Sequence, residues 1–451
     1  MPRGERSSDH DAAAAGSRCL TDIETPVLSG VHEIEDWLRR EHGFAVAALV
    51  RFFGDIDVAE DAVQDAFGLA MERWPVTGLP PNPAAWLVTT ARHRGLSRLR
   101  REASRHDRRV RAAMFEGTES ATLVGPITDD RLRLIFTCCH PALGRSDQVA
   151  LTLRLLAGLS AVEIADALGV PEITVAQRIA RGKRKIKSTK IAYRLPSPSE
   201  LPERLDPVLA VIYLIFNDGC AVPSVGAAQA DLCEEAIGLA RVLAELLPDE
   251  PEALGLLALL LLNHSRRDAR IGPDAALVLL PDQDRSLWDW ELIDAGQELV
   301  RVCIERDEPG PYQIQAAISA VHSAAERAEY TDWPQILALY DLLMEITPTR
   351  VVALNRAVAL AEVEGPEVAL AVIDKLDLRA YHLFHATRAD MLERLGRLTE
   401  AAQAYHAALA ITTNAAERLT LRKHLAVSLG FSEGAAQWSR LTESAWSLRS
   451  Q

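Results

Sequence analysis

The chain has 451 residues, too many for one compact core, and this length predicts about two to four domains. With 48% hydrophobic and 25% charged residues it has the composition of a globular protein, and its apolar runs are too short to span a bilayer. The net charge of −14 is unevenly distributed, because residues 1–190 carry 27 Lys and Arg against 25 Asp and Glu, whereas the remainder has a net charge of −16. Only the first part suits DNA. The acidic part suits proteins or the basic part of its own chain.

The N-terminus lacks the apolar core of a signal peptide, so we expect a cytoplasmic protein without membrane contact. The sequence contains no P-loop, dinucleotide-binding glycine pattern, HExxH or nucleophile elbow, so we expect neither enzyme activity nor a cofactor. Adjacent Cys138, Cys139 and His140 suggest a metal site. Neighbouring residues on a helix point in different directions, however, and no second ligand pair stands at a usable spacing. Buried thiols are therefore the preferred interpretation, and no metal is expected.

Residues 1–30 are rich in Ala, Ser and Asp without a period and predict a disordered tail. Residues 31–105 predict a helical domain whose first two helices are broken near Gly54, with Asp55 available to cap the second and a proline-broken loop from Pro75. The second helix should bury Ala59, Ala62, Val63, Ala66 and Phe67 and expose Glu60, Asp61, Gln64 and Asp65.

A third helix becomes basic as it proceeds, with nine arginines and two acids from Arg92 to Arg111. That density is typical of a nucleic-acid surface or of a flexible basic arm, and its continuity with an amphipathic helix favours the surface. Trp86, near the start of this helix, is either a stacking platform for a base or a core residue. Residues 106–128 are rich in Gly, Ser and Thr and predict a linker.

Residues 129–190 predict a four-helix unit that ends in a helix-turn-helix. An apolar run of period 3.6 stops at Gly169, and a second helix opens at Pro171. Ala165, Gly169 and Val175 have the required spacing: a small residue where the helices cross, a residue able to adopt positive φ, and a branched residue that packs the second helix onto the first. The second helix then carries Arg178, Arg181, Lys183, Arg184, Lys185, Lys187 and Lys190, with no acid between them. This pattern is typical of a helix that binds the phosphates beside a DNA groove. An ordinary helical hairpin with a solvated basic face is the alternative.

Residues 191–451 predict an array of helical repeats. The anchor positions Ile336, Ala369 and Ala401 are 33 and 32 residues apart, close to the tetratricopeptide period of about 34. We expect a tetratricopeptide-like solenoid whose concave face takes a protein or peptide partner, with room for three more units between Ala236 and Ile336. Because the middle copies are irregular, a plain helical bundle is the alternative. The apolar helix after residue 200 should dock the solenoid onto the helix-turn-helix unit or cap it.

One segment of the irregular middle resembles a site. Asp284, Arg285 and Trp288 lie on a loop that enters a helix. These residues suit a partner or interdomain contact, because Trp and Arg are frequent in interface hot spots. A loop with Asp caps and buried tryptophans explains them equally well.

Taken in order, the motifs DVAEDAVQDAF, PAAWLVTTARHR and LRLLAGLSAVEIADALGVPEITVAQRIARGKRKIK resemble a bacterial sigma factor of the extracytoplasmic-function type. The resemblance covers about residues 31–190 and implies a region 2 domain at 31–105 and a region 4 domain at 129–190. The layout with a tetratricopeptide-like extension is similar to group forty-two of that type, in which the extension is taken to regulate the sigma factor in place of a separate anti-sigma protein.

The resemblance implies three sets of site residues. Core polymerase should contact Asp61, Gln64, Asp65 and Phe67. The −10 strand should contact Trp86, Thr89, Arg92, His93, Arg94 and Arg98, where His93 replaces the Asn of many members. The −35 element should be read by Glu172, Thr174, Gln177, Arg178 and Arg181, with Lys183, Arg184, Lys185 and Lys187 on phosphates.

The sequence therefore predicts an all-α sigma factor that binds core RNA polymerase and promoter DNA and is regulated by its extension. A one-component regulator, with a helix-turn-helix and a ligand- or peptide-sensing repeat domain, is the alternative. The acidic helix around Asp61 argues against it, because an operator binder has no use for that helix. The charge division adds the hypothesis that the acidic extension folds back onto the basic helix and competes with DNA.

Overall fold

The computed structural model describes residues 31–106, 128–168, 170–221 and 232–430. Within these ranges the chain forms eighteen α-helices, four short 3₁₀ turns and an isolated β-bridge, and it contains no strand. The all-α prediction is confirmed. The expected tail and nearly all of the expected linker lie outside the described residues. None of the described helices is long and apolar enough to cross a membrane. The chain divides into two compact units, Met1–Val124 and Gly125–Gln451.

The first unit contains α1 (Val31–Phe53), α2 (Ile56–Thr77) and α3 (Pro83–His106). The break predicted near Gly54 is confirmed: this residue has a φ of +69°, which glycine adopts without steric cost. Asp55 then caps α2, because its Oδ1 accepts hydrogen bonds from the backbone N–H groups of Asp57 at 2.9 Å and Val58 at 3.3 Å.

Two details of α2 differ from the prediction. The helix continues through Pro75 and ends at Thr77, where Gly78 has a φ of +77° and its N–H donates to the Trp74 carbonyl. Proline in the last turn removes one helical hydrogen bond, whereas the glycine supplies the positive φ that ends the helix. Glu60, expected on the polar side, is buried. Because α2 packs against both α1 and α3, its buried face is wider than the predicted stripe.

The second unit begins with α4 (Thr128–Cys138), α5 (Arg145–Leu155), α6 (Ala161–Leu168) and α7 (Glu172–Ser188). It continues with α8 (Leu201–Ala221), α9 (Leu232–Leu246) and α10 (Pro251–His264). The apolar helix α8 packs against α4, α5 and α6, which precede it in the chain, and against α9 and α10, which follow it. Its buried residues are Leu205, Val208, Leu209, Val211, Ile212, Ile215 and Phe216. The prediction that this helix docks the extension onto the helix-turn-helix unit is confirmed.

Polar contacts reinforce this shared core. The Arg204 guanidinium donates to the Phe136 carbonyl at 2.8 Å, and Arg145 donates to the Pro207 carbonyl at 3.1 Å. The Tyr193 hydroxyl, from the segment before α8, donates to the carbonyl of Asp130 at 2.9 Å. Burial lowers the pKa of Arg204. The helix-turn-helix and the start of the extension are therefore parts of one folded body.

Eight further helices complete the extension. They are α11 (Trp290–Arg306), α12 (Pro311–Ala324), α13 (Trp333–Ile346), α14 (Arg350–Glu364), α15 (Pro366–Ile373), α16 (His382–Arg394), α17 (Leu398–Ile411) and α18 (Ala415–Ser428). Consecutive helices pack as neighbours. The anchors Ile336, Ala369 and Ala401 are fully buried in α13, α15 and α17, the first helices of three successive pairs. The tetratricopeptide assignment itself stays a prediction.

The interval from Ala236 to Ile336 does not hold three repeat units. It holds the pairs α9–α10 and α11–α12, separated by turns and 3₁₀ segments from residue 265 to residue 289. The reason is a long-range contact that the repeat period does not encode. Within this segment, Leu277 donates its N–H to the Ala416 carbonyl at 3.4 Å and accepts the Thr420 hydroxyl at 2.7 Å, and Asp274 pairs with Lys423. The segment thus ties α18 back to the start of the array.

The packing of α10 against α12 generates a stability prediction. A Cβ at Gly255 would lie 2.7 Å from the backbone nitrogen of Gln313, so Gly255→Ala must displace α12. We expect a loss of about 1–3 kcal/mol in the free energy of unfolding. Gly238, inside α9, has no atom within 4 Å of such a Cβ, and Gly238→Ala should stabilise the protein by about 0.5–1 kcal/mol. Chemical denaturation measures both, and equal effects would contradict the packing.

Candidate functional site

The helix-turn-helix is built by local capping and by core packing. The Ser160 hydroxyl accepts the N–H of Glu163 at 3.1 Å, and the Glu163 carboxylate accepts the N–H of Ser160 at 2.7 Å, a reciprocal cap that starts α6. Ala165 and Val175 are buried where α6 meets α7, as predicted. Pro171 occupies the N-cap of α7, one residue before the predicted helix start. Gly169, the predicted turn residue, lies outside the described residues.

The basic helix α7 is amphipathic. Val175, Gly182 and Ile186 form its buried side, and a Cβ at Gly182 would lie 2.5 Å from a methyl group of Leu151 in α5. Glu172, Gln177, Arg181, Arg184, Lys185 and Lys187 are exposed, whereas Thr174, Arg178 and Lys183 are half-buried. The residues expected to read the −35 element therefore lie mainly on the outward side of one helix, packed principally against α5 and α6.

One residue of this set has a different environment. The Arg181 side chain forms a double hydrogen bond with the Asp147 carboxylate of α5, with Nε–Oδ2 and Nη2–Oδ1 distances of 2.8 and 2.5 Å. This pairing raises the pKa of Arg181, first through the hydrogen bonds and then through the charge of Asp147. Arg181 is thus tied to its own domain.

Sequence reasoning missed Ile173. This large apolar side chain is 66% exposed at the start of α7, on the outward side of the helix. The prediction considered only polar residues on the outward side. The helical period contained the signal, because Ile173 stands two residues before the inward Val175 and four before the exposed Gln177.

The exposed positions on α3 include Thr89, His93 and Arg94. Two other expected −10 residues have partners within the first unit. The Arg92 guanidinium lies 4.4 Å from the centre of the Phe52 ring, a cation–π distance, and the half-exposed Arg98 forms an ion pair with Asp61 at 2.6 Å.

Trp86 is half-buried and packs against Trp74, with 5.2 Å between ring centroids. Trp74 is itself buried and also contacts Trp37. This packing agrees with a core role for Trp86.

The four positions expected to meet polymerase lie on α2. Gln64 and Asp65 are exposed, whereas Asp61 and Phe67 are half-buried. Phe67 packs edge-on against the buried His42, with 5.6 Å between ring centroids. Since Asp61 pairs with Arg98, one residue of the expected polymerase surface contacts one residue of the expected −10 surface.

Cys138 and Cys139 lie in the core of the second unit. Burial raises the pKa of both thiols, to about 11 for Cys139, and its sulfur lies 3.6 Å from the Thr152 hydroxyl. The Nδ1 atom of His140 accepts the N–H of Ala142 at 3.0 Å. Protonated thiols are poor metal ligands, so this environment fits the interpretation of core thiols. Among the residues described, no cluster of three metal-ligating side chains occurs.

The candidate partner segment is occupied by internal contacts. Asp284 caps a 3₁₀ turn by accepting the N–H of Ser286 at 2.9 Å. Arg285 donates to the carbonyls of His322 and Ala325, and its guanidinium lies 4.4 Å from the centre of the buried Trp288 ring. This geometry matches the capped loop more closely than a free contact surface.

Family comparisons agree with the two helical regions. Residues 37–105 match the family described as Sigma-70 region 2, and residues 133–186 match Sigma-70, region 4. Residues 204–303 match a family of unknown function, DUF6596. No solved structure matches the chain.

Two kinds of relative were found. The uncharacterized protein R00370 of Rhizobium meliloti (strain 1021) is 42% identical over 390 residues, which cover 84% of this chain and 92% of that protein. The probable ECF RNA polymerase sigma factor SigI of Mycobacterium tuberculosis, in strains CDC 1551 / Oshkosh and ATCC 25618 / H37Rv, is 31% identical over 159 residues. That match covers 34% of this chain and about half, 54%, of SigI.

A helical region 2 followed by a helix-turn-helix region 4 defines a sigma factor. The chain belongs to the extracytoplasmic-function type of the sigma-70 family, with a C-terminal extension that contains the DUF6596 domain.

Proposed function

We propose that this sigma factor binds core RNA polymerase, recognises −35 and −10 promoter elements, and is regulated through its extension. The observation that carries the proposal is the outward side of α7, where basic side chains lie exposed on a helix seated in a helix-turn-helix. A helix of this kind enters the major groove with its N-terminal residues at base edges. We call α7 the recognition helix from here on.

The two halves of the recognition helix have different roles in this proposal. Gln177 and Arg178 lie in its first half, where they approach base edges, while Lys185 and Lys187 in the second half hold phosphates. Ile173 adds an apolar contact of the kind that recognises the methyl group of thymine.

This division of roles predicts two different mutant phenotypes. Arg178→Ala should cost about 1–3 kcal/mol on a duplex selected from a random library by the unmodified protein, and little on the unselected pool. Lys185→Ala should weaken binding to both and reduce the steepness of log K against log salt by about one. This steepness, taken as a positive number, is called the salt slope. Fluorescence titrations at several salt concentrations measure these quantities. The opposite assignment of the two phenotypes would contradict the proposal.

Region 2 supplies the other half of the proposal. The exposed Gln64 and Asp65, with Asp61, form a polar and acidic surface on α2 that suits a basic partner surface on polymerase. On α3, the exposed Thr89, His93 and Arg94 suit the backbone and bases of a separated −10 strand.

Charge reversal on α2 tests polymerase binding. Asp65→Lys should abolish run-off transcription by the chain with core polymerase on DNA from the selected library, because it opposes the proposed partner surface. Glu35→Lys, an exposed position on α1 with the same charge change, should retain transcription.

Absence of transcript from the unmodified chain, together with sequence-specific DNA binding, would instead favour the one-component regulator. Equal activity of the two variants would remove α2 from the polymerase contact.

The extension is proposed to act through a protein partner. It contains a cavity of about 630 Å³ between α11, α12 and α13, lined by apolar residues that include Val300, Ile314 and Leu339. Asp307, Glu308 and Asp332 also line it, with Arg301 as the one basic residue among the described residues that line it, so its net negative charge suits a partner segment with apolar and basic side chains. Arg184 and Lys185 are exposed on the recognition helix, whereas Arg178 and Lys183 are half-buried. The fold-back hypothesis, in which acidic repeats cover this helix, therefore stays a prediction.

A further inference from the structure

Asp147 has no role in the promoter contacts proposed above. It lies in the first turn of α5, and its side chain is only 8% exposed, although buried carboxylates need partners. Both of its oxygens accept hydrogen bonds from Arg181 of the recognition helix, through Nε at 2.8 Å and Nη2 at 2.5 Å. Such parallel pairs fix the relative orientation of the two side chains as well as their distance.

The position of this pair along α7 gives it mechanical importance. Arg181 immediately precedes Gly182, where an added Cβ would lie 2.5 Å from a methyl group of Leu151 in α5. A tight apolar contact and a double hydrogen bond therefore act at the same point, between the base-reading half and the phosphate-binding half of the recognition helix. Close packing sets the distance to α5, and the ion pair restricts rotation of α7 about its own axis.

We propose that Asp147 is a positioning residue that holds the recognition helix in its DNA-reading orientation, with Arg181 as its tie and not as a base or phosphate contact. This inference rests on the proposed function, in which the recognition helix enters a DNA groove. It reassigns Arg181, although that side chain is 58% exposed and belongs to the basic run.

The reassignment has a measurable electrostatic consequence. An arginine on a DNA phosphate releases a counterion and contributes about one to the salt slope. An arginine already paired with Asp147 contributes nothing to that slope. Loss of the tie should instead let α7 rotate, which disturbs base contacts more than phosphate contacts because bases require directed hydrogen bonds. Selectivity should fall, while the salt slope remains.

The test uses the full chain with two probes, a duplex selected from a random library by the unmodified protein and the unselected pool. Arg181→Gln should reduce the preference for the selected duplex by about tenfold or more, as expected for loss of one base contact, with an unchanged salt slope. Asp147→Asn should reduce the preference similarly and raise the slope by up to about one, because Arg181 becomes available to phosphate. The double variant should be no worse than either single variant, since both remove the same interaction. Lys185→Gln is the control and should lower the slope by about one.

The salt slopes and the duplex preference separate failure of the positioning role from failure of the proposed function. A slope lowered by about one in Arg181→Gln, or an unchanged preference in Asp147→Asn, would overturn the positioning role. An unchanged slope in Lys185→Gln would show that the recognition helix does not contact DNA, so the proposed function would fail first and the inference with it. Thermal unfolding checks that each variant is folded. If Asp147→Asn does not fold, Arg181→Gln still decides through its slope.

Discussion

The structure of the second unit depends on one helix, α8. Its apolar residues, among them Leu205, Val208 and Leu209, are buried between the helix-turn-helix and the first helices of the extension. The support of the recognition helix therefore runs from α7 to α5 and from α5 to α8. Because protein interiors are close-packed and transmit displacement, a partner that moves the extension has a physical route to the recognition helix. A chain ended after residue 195 would lose α8 and expose the other side of this core.

Two ion pairs involve side chains that the sequence assigns to polymerase or promoter contacts. Asp61 with Arg98 on region 2 and Asp147 with Arg181 on region 4 differ in burial, and this difference separates their roles. Both members of the first pair are nearly half exposed, so the pair contributes at most about 1 kcal/mol and opens at little cost. Asp147 is almost fully buried, and removing its partner would leave a buried charge, which is far more costly.

The features predicted correctly from the sequence are local ones. The Asp55 cap and the burial of Ala165 and Val175 depend on residues within one or two turns, and a repeating pattern records them. The features missed depend on contacts between distant segments. Glu60 is buried because two helices flank α2, Arg285 is held by carbonyls of α12 and the residue after it, and residues 265–289 bind α18. The Arg181 tie belongs to this second group, because its partner lies 34 residues earlier. Residue types correctly identified a basic helix, but only the structure shows which basic side chain is paired within the protein.

We expect the helix-turn-helix and the extension to unfold as one body, because α8 belongs to the core of both. Native-state hydrogen exchange, followed by mass spectrometry in increasing denaturant, measures whether they do. Peptides from α5 and α10 should converge on the same opening free energy, and Leu209→Ala should lower both by the same amount, about 2–5 kcal/mol. Exchange of α5 at a lower opening free energy than α10, with Leu209→Ala affecting only one of them, would contradict the claim.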